Sequence, residues 1–359
     1  MTTSVIGRCL PVLIGSLPVD THDEAVSIIF EHTPDIPLWA QLPRNPKELM
    51  IPQFLPGMPG VVKENETVFV DIGSPAYENE ILSFYEDYVS VTEGGLPLDG
   101  TRFAMTDDTA RGFFSFIDHV KSLPSLPVAV KGQITGPISF TLGIADREKR
   151  AIFYDEQARD AAIKLLAMKA TWQAKAMGCF GKPVIVFLDE PALASFGTSE
   201  TISMTADDVL NCLKEVVDAV HAAGALAGIH VCANTDWSLV LDAGVDIVNF
   251  DAYGYFDRFI LFPERIRSFI RNGGVIAWGI VPTSDGETID RESVDSLVAK
   301  WRDQIGAVSG LGIETEQIVD QSLITPSCGT GSLSPEHARR VLQLTRDVSQ
   351  TIRRDAGLV

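Results

Sequence analysis

Residues 184–191 read VIVFLDEP, and residues 225–235 read ALAGIHVCANT. Each stretch begins with a short apolar run and ends in polar residues that can carry chemistry. A near-continuous apolar run is typical of a strand buried on both faces, which is the environment of a parallel sheet. In barrels built from such strands, the active site lies at their carboxyl ends. The two stretches therefore predict a parallel sheet and the edge at which a site would lie.

Similar apolar runs recur along the chain, and amphipathic helices separate them. Helices are predicted over 155–178 and 205–223, and Thr205 is the N-cap residue of the second. A last helix begins at Ser334. With the two stretches above, the strand candidates number seven and predict an α/β fold, a (β/α)8 TIM barrel; a doubly wound open sheet is the alternative. Thr67–Asp71 supplies the eighth strand or belongs to a hairpin. The five further strand candidates are 36–40, 127–131, 246–250, 275–279 and 317–320.

The composition excludes several classes of protein. The 359 residues are 45% hydrophobic, which is enough for a large core, and apolar residues run evenly along the chain, which excludes intrinsic disorder. We expect a single TIM-barrel domain over 1–359, with an N-terminal extension or hairpin region around 45–100. The formal net charge of −19 disfavours binding to nucleic acid or to an anionic membrane surface.

The cysteines and the N-terminal residues bear on localisation. Five widely spaced cysteines, an odd number, argue against a disulfide framework and for a reducing compartment. The first apolar patch is too short and too interrupted for a signal peptide, and no apolar run is long enough to span a bilayer. We therefore expect a soluble, cytoplasmic protein.

Four residues at strand ends form a candidate metal site. His230 and Cys232 are two residues apart at the end of one strand, so their side chains point the same way. Asp251 ends the next strand, and Cys328 follows a later one. Imidazole, thiolate and carboxylate ligands together suit tetrahedral Zn²⁺. Each residue alone also has a structural interpretation, and it is the set of four that favours a metal.

The charge of this ligand set indicates the kind of chemistry. Two thiolates and one carboxylate leave a zinc site with a formal charge of about −1. Such a zinc is a poor Lewis acid for making hydroxide, but it can bind a substrate thiol and hold it as a nucleophilic thiolate. The set therefore favours alkyl transfer to a thiol over hydrolysis.

These motifs together resemble the catalytic C-terminal barrel of cobalamin-independent methionine synthase. The resemblance covers most of the chain and implies a zinc-dependent thiol methyltransferase with homocysteine as the acceptor. The wider superfamily, which it also resembles, includes uroporphyrinogen decarboxylase and thiol methyltransferases that use corrinoid proteins. The segments that carry the resemblance are IGS at 14–16, GQITGP at 132–137, DEPAL at 189–193, HVCANT at 230–235 and the late Cys328.

The resemblance implies the metal ligands. His230, Cys232 and Cys328 match the zinc ligands of the family. Asp251 stands where the family commonly has a Glu ligand, so its side chain is one methylene shorter.

The resemblance also implies residues that bind the substrate. Ser16 and the backbone of Ile14 match the loop that holds the amino-acid end of homocysteine. Asp189 matches the acid that pairs with the ammonium group, and we take Asp189 and Glu190 as the candidate catalytic residues. Both also have the alternative of a structural carboxylate at a strand end.

Two departures from the family bear on the methyl donor. From the 359 residues we expect no second barrel of the kind that helps the family hold polyglutamated folate. The family also has an Asp and a His that assist folate, where this sequence reads PTSD at 282–285. Methyltetrahydrofolate needs a proton on its leaving nitrogen, whereas a methylcorrinoid does not. We therefore expect methylcobalamin or a corrinoid protein as the donor.

Three alternatives remain open on the sequence. A coenzyme M-type thiol methyltransferase would use the same scaffold and the same metal. A uroporphyrinogen decarboxylase-like lyase would share the fold but need a basic pocket. A degenerate barrel that binds a thiol or a corrinoid protein would perform no turnover.

Overall fold

The computed structural model describes residues 6–65, 67–199 and 201–359. Its strands, numbered in chain order over those residues, are β1 (Leu10–Pro11), β2 (Val61–Glu64), β3 (Thr67–Val70), β4 (Val130–Thr135), β5 (Val184–Asp189), β6 (Leu226–Val231), β7 (Ile247–Phe250), β8 (Val275–Val281) and β9 (Ser322–Pro326). Seven of them form one sheet in the order β1-β9-β8-β7-β6-β5-β4, and every neighbouring pair is parallel. Every residue of these seven strands is buried, as their apolar runs predict.

Helices follow or separate the strands. In the described residues they are α1 (His22–His32), α2 (Met50–Phe54), α3 (Tyr77–Thr92), α4 (Asp107–Ser122), α5 (Pro137–Gly143), α6 (Glu156–Gly178), α7 (Ala206–Ala222), α8 (Trp237–Asp242), α9 (Ala252–Phe259), α10 (Pro263–Arg271), α11 (Gly286–Arg291), α12 (Val294–Ser309), α13 (Thr315–Asp320) and α14 (Pro335–Asp355). None of the helices in these ranges is long and apolar enough to cross a membrane.

The predicted long helices are confirmed, and their ends are where the capping residues place them. At the start of α7 the Thr205 hydroxyl accepts the Asp208 N–H, and the Asp208 carboxylate accepts the Thr205 N–H, both at 3.1 Å. The helix ends before Gly224, whose φ of +78° is the left-handed conformation that glycine adopts without strain. At the start of α14 the Ser334 hydroxyl accepts the His337 N–H, ahead of Pro335.

Two apolar clusters cover the two faces of the sheet. The larger cluster joins strand residues to helix residues and therefore lies on the outer face. The smaller one contains no helix residue and lies on the inner face; it includes Val12, Ile185, Phe187, Ile247, Ala277 and Leu323. Alternate residues continue this inner face towards the carboxyl ends of the strands as buried polar side chains, namely Lys131, Gln133, Asp189, His230, Asn249 and Thr325.

The seven strands do not close into a ring. Residues 36–41 lie between the two edge strands, β1 and β4. Leu38 forms a single parallel bridge to β4, and Gln41 forms one to the segment just after β1. The strand predicted to start at Ile36 is thus replaced by isolated bridges, since Pro37 has no N–H to donate to a ladder. The predicted α/β fold with a parallel, barrel-like sheet is confirmed, and the closed eight-stranded form stays a prediction.

Two segments predicted as strands of the main sheet are not part of it. Residues 317–320 belong to α13, and the strand begins two residues later, at Ser322. That prediction was wrong because the run holds only two apolar residues, too few for a strand buried on both faces. Thr67–Val70 pairs antiparallel with β2 in a separate two-stranded sheet, so it does not supply the eighth strand. The single domain over 1–359 stays a prediction.

Candidate metal centre

Three of the four predicted ligands converge at the carboxyl edge of the sheet. His230 is on β6, Cys232 follows it, and Cys328 lies in the loop after β9. β7 and β8 lie between these two strands, so it is the curvature of the sheet that brings their ends together. One ligand atom from each residue lies within 4.8 Å of the other two. An imidazole nitrogen and two sulfurs at this spacing fit Zn²⁺.

The imidazole of His230 has one engaged nitrogen and one free nitrogen. Nδ1 is hydrogen-bonded to Oδ1 of Asn249 on β7. Nε2 is buried and has no hydrogen-bond partner among the described residues, although the side chain is only 3% exposed. A buried polar atom without a partner costs free energy unless something else binds it. The free nitrogen therefore supports a metal ligand at this position.

The two thiols differ in acidity. The Cys328 thiol stabilises the neighbouring Cys232 thiolate and lowers the pKa of Cys232, against the effect of burial. The neighbouring Cys232 and burial together raise the pKa of Cys328. Burial lowers the pKa of His230, but Cys232, Asp189 and Asn249 together act against it and raise the pKa overall. The protein alone thus favours one thiolate, and a bound cation would favour the second.

Asp251 lies at the end of β7 and caps the following helix. Its Oδ1 accepts the Gly254 N–H at 2.8 Å at the start of α9. Burial raises its pKa to about 6, and the Cys232 charge acts in the same direction. Its carboxylate is not among the atoms that lie within 4.8 Å of one another. Its role as the fourth ligand stays a prediction.

The neighbouring carboxylates of Asp189 and Glu190 have different surroundings. Asp189 is opposite His230 in the β5–β6 pair, its Oδ1 has no hydrogen-bond partner in the described chain, and burial raises its pKa to about 6. Glu190 accepts the N–H groups of Ile138 and Ser139 at 2.9 and 2.8 Å and the Ser139 hydroxyl at 2.6 Å. These donors lie in the first turn of α5. Asp189 keeps a buried acceptor atom without a partner in the described residues, whereas Glu190 holds a helix terminus.

The loop at Ile14–Ser16 lies against the loop that carries Cys328. The Ser16 carbonyl accepts the N–H of Thr330 at 3.0 Å, and the Ser16 hydroxyl accepts the N–H of Gly331 at 3.2 Å. A Cβ at Gly329 would lie 2.2 Å from the Ser16 hydroxyl oxygen, so glycine is required there. Ser16 is therefore placed near Cys328, and its predicted contact with substrate remains a prediction.

Sequence reasoning missed three inner-face residues. Lys131 is fully buried, its Nζ donates to the Ile14 carbonyl at 2.5 Å, and Nζ lies 4.4 Å from the centre of the Phe187 ring. Gln133 donates to the Trp39 carbonyl, and its Oε1 has no partner among the described residues. The third is Asn249. Each is a polar residue inside a buried strand, which is a signal that the sequence contains.

Residues 282–285 include no His, but the imidazole of His337 lies against the next residue, Gly286. Thr283 is hydrogen-bonded to Ser327, next to Cys328, and Asp285 caps α11. The imidazole of His337 packs on Gly286, where a Cβ would lie 2.4 Å from its Cε1. His337 Nε2 is 3.4 Å from Asp290 and Nδ1 is 3.0 Å from the Ser334 hydroxyl. The imidazole beside this segment is thus supplied by α14 rather than by the segment itself.

No protein-family model and no curated protein matches this sequence. A methyltransferase from Methanosarcina mazei superposes with a TM-score of 0.42 at 14% sequence identity, over 66% of this chain and 64% of that one. The chain thus spans less than two thirds of that methyltransferase. A structure of the tandem GH20 catalytic modules of the pneumococcal exo-β-D-N-acetylglucosaminidase StrH superposes with a TM-score of 0.47 at 9% identity, over 96% and 86% of the two chains. Neither superposition assigns an activity to this chain.

Proposed function

We propose that this chain is a zinc-dependent methyltransferase that transfers a methyl group from a methylcorrinoid to a thiol, with homocysteine as the first candidate acceptor. The observation that supports it is the cluster of His230, Cys232 and Cys328, whose ligand atoms lie within 4.8 Å of one another. Three protein ligands leave one position of a tetrahedron for a substrate. A thiol in that position is the acceptor that this ligand set suits best.

The proposed chemistry is a displacement on a methyl carbon. A bound Zn²⁺ would lower the pKa of the acceptor thiol and keep its sulfur nucleophilic at neutral pH. The sulfur–carbon bond forms as the carbon–cobalt bond of the donor breaks, and cobalt keeps the electron pair. The protein orients the imidazole and excludes water, since His230 and Asp189 are only 3% and 8% exposed.

The acceptor's other end is proposed to bind at Asp189. Its Oδ1, which has no partner within the described part of the chain, faces the same inner surface as His230 and is a suitable acceptor for an ammonium group. This favours homocysteine over coenzyme M, which has no ammonium group. Glu190, with three donors already bound, supports α5 rather than a substrate.

The complete fold is proposed to be a closed (β/α)8 barrel. Residues 36–41 occupy the position of an eighth strand, because they form parallel bridges towards both edge strands of the open sheet. Closure there would put Ser16 and Lys131, which flank the segment, into the same ring as the metal ligands.

The first experiment measures zinc per chain by elemental analysis of tag-free protein, for the wild type and for Cys328→Ser. We expect about one zinc in the wild type and less than a fifth of that in the variant, with at least about a 100-fold loss of methyl transfer to homocysteine. Cys179→Ser is the matched control, because Cys179 is exposed and distant in sequence from every ligand. It should keep both zinc and activity.

The same assay separates the alternatives. Methylcobalamin is compared with methyltetrahydrofolate as donor, and homocysteine with coenzyme M as acceptor. Wild-type protein without zinc after reconstitution, or full activity in Cys328→Ser, would overturn the proposal. Decarboxylation of a porphyrinogen by metal-free protein would favour the lyase instead.

A further inference from the structure

Asn249 is a fully buried polar residue that joins four strands of the sheet. It lies on β7, and its side chain is 0% exposed. Oδ1 is hydrogen-bonded to His230 Nδ1 on β6. Nδ2 donates to the carbonyl of Ala277 on β8 and to the hydroxyl of Thr325 on β9, each at 2.8 Å. No other residue of the chain is needed to satisfy this amide.

These partners decide which way the amide faces. The Ala277 carbonyl can only accept a hydrogen bond, so the group that faces it must be the amide NH₂. Oδ1 therefore faces His230, and because Oδ1 can only accept, Nδ1 of His230 must carry the proton. In a neutral imidazole the other nitrogen, Nε2, then has the free lone pair. Nε2 is the buried atom that has no partner in the described residues.

We propose that Asn249 is a positioning residue that fixes His230 with its proton on Nδ1 and its Nε2 lone pair directed at the position between Cys232 and Cys328. The inference rests on the proposed metal site, and it adds the residue that sets the geometry of that site. Partners of metal-binding histidines commonly change metal affinity by about 10- to 100-fold when they are replaced. The same range is expected here.

Three variants separate positioning from mere packing. Asn249→Leu keeps the size of the side chain but removes the acceptor, and zinc affinity should fall about 10- to 100-fold. Asn249→Asp restores an acceptor for Nδ1–H and should recover most of that loss, even though it loses both Nδ2 hydrogen bonds and some stability. Thr325→Val is the matched control: the Ala277 carbonyl still orients the amide, and zinc affinity should stay within about threefold of wild type.

Two readouts are used on the full chain. Zinc affinity is measured by competition with a chelator, and thermal unfolding is measured alongside it to identify variants that do not fold. The proton position is measured by long-range ¹H–¹⁵N NMR of zinc-free protein labelled in histidine, at a pH where His230 is neutral. Wild type, Thr325→Val and Asn249→Asp should show the proton on Nδ1, and Asn249→Leu should populate both nitrogens.

The inference and the proposed function can fail separately. A proton on Nε2 in the wild type, or a folded Asn249→Leu with zinc affinity within threefold of wild type, would overturn the inference. Protein that binds no zinc but carries the proton on Nδ1 would overturn the proposed function and leave the tautomer assignment standing.

Discussion

Asp189 and Glu190 are neighbours in the chain, and both carboxylates are buried, yet they face different parts of the molecule. Side chains alternate along a strand, so Asp189 at the end of β5 faces the inner surface and Glu190 turns to the outer one. Glu190 meets three donors at the start of α5, and a Cβ at Gly136 would lie 2.2 Å from its Cδ. Asp189 has an oxygen with no partner in the described residues.

Structural and functional carboxylates in this fold are expected to differ in whether their acceptor atoms are already hydrogen-bonded. A buried carboxylate whose acceptors are all filled stabilises the protein and has little left to offer a substrate. One with an empty acceptor destabilises the protein until a ligand binds it. By this criterion we predict that Asp189 and His230 Nε2 belong to the site and that Glu190 belongs to the scaffold.

The largest effect is expected at Glu190. Glu190→Ala leaves the donors of Ile138 and Ser139 buried without an acceptor, so the free energy of unfolding should fall by about 3–5 kcal/mol. Glu190→Gln keeps one acceptor and should lose about 1–2 kcal/mol. Denaturant unfolding measures both. Zinc per folded chain should not change in either variant.

The pH dependence of unfolding tests the same residue. Burial raises the pKa of Glu190 to about 7, above the usual value of 4.5, so the folded protein holds this proton more tightly than the unfolded chain does. The free energy of unfolding of the wild type should therefore fall as the pH rises from about 4.5 to about 7. Glu190→Gln should remove that part of the slope. A stable Glu190→Gln that has lost methyl transfer would instead make Glu190 the catalytic group that its sequence position suggests.

Asp189 should show the opposite pattern, with a smaller effect. Asp189→Asn removes a charged acceptor but breaks no hydrogen bond to Oδ1, so stability should change by less than about 1 kcal/mol. The KM for homocysteine should rise about 10- to 100-fold, with zinc content unchanged. Steady-state kinetics measure this, and a thiol without an amino group is the control substrate, whose KM should not change. An equal rise in KM for both thiols would mean that Asp189 does not bind the ammonium group.

The sequence was sufficient for the strand ends but not for the surroundings of each residue. His230, Cys232 and Cys328 converge as predicted, because apolar runs in a parallel sheet place their carboxyl ends at one edge. The sequence cannot show that Ser139 donates a hydrogen bond to the Glu190 carboxylate, since that contact joins residues 51 positions apart in the chain.

Other failures have local causes. The strand predicted at 317–320 is a helical turn with a single buried residue, Ile318, and its two apolar residues are too few for a strand buried on both faces. Asn249 was visible as a polar residue within IVNF, but its partners on β6, β8 and β9 depend on register. Register is set by the packing of the whole sheet rather than by any one segment.

The smallest effect is expected at Asp251, which lies between the two cases. Its Oδ1 accepts the Gly254 N–H, so this oxygen already has a partner, as the oxygens of Glu190 do. The charge of Cys232 raises its pKa and that of His230 lowers it, as for Asp189. Asp251→Ser keeps an N-cap oxygen, so stability should change by less than about 0.5 kcal/mol, whereas Asp251→Ala should lose about 1 kcal/mol.

If the cap is the whole role of Asp251, zinc affinity in Asp251→Ser stays within about threefold of wild type, because three ligands and a substrate thiol complete a tetrahedron. Asp285→Ser, at the N-cap of α11, is the matched control for the cap. A tenfold or larger loss of zinc affinity in Asp251→Ser alone would show that this carboxylate leaves its cap to bind the metal, as the sequence resemblance implies.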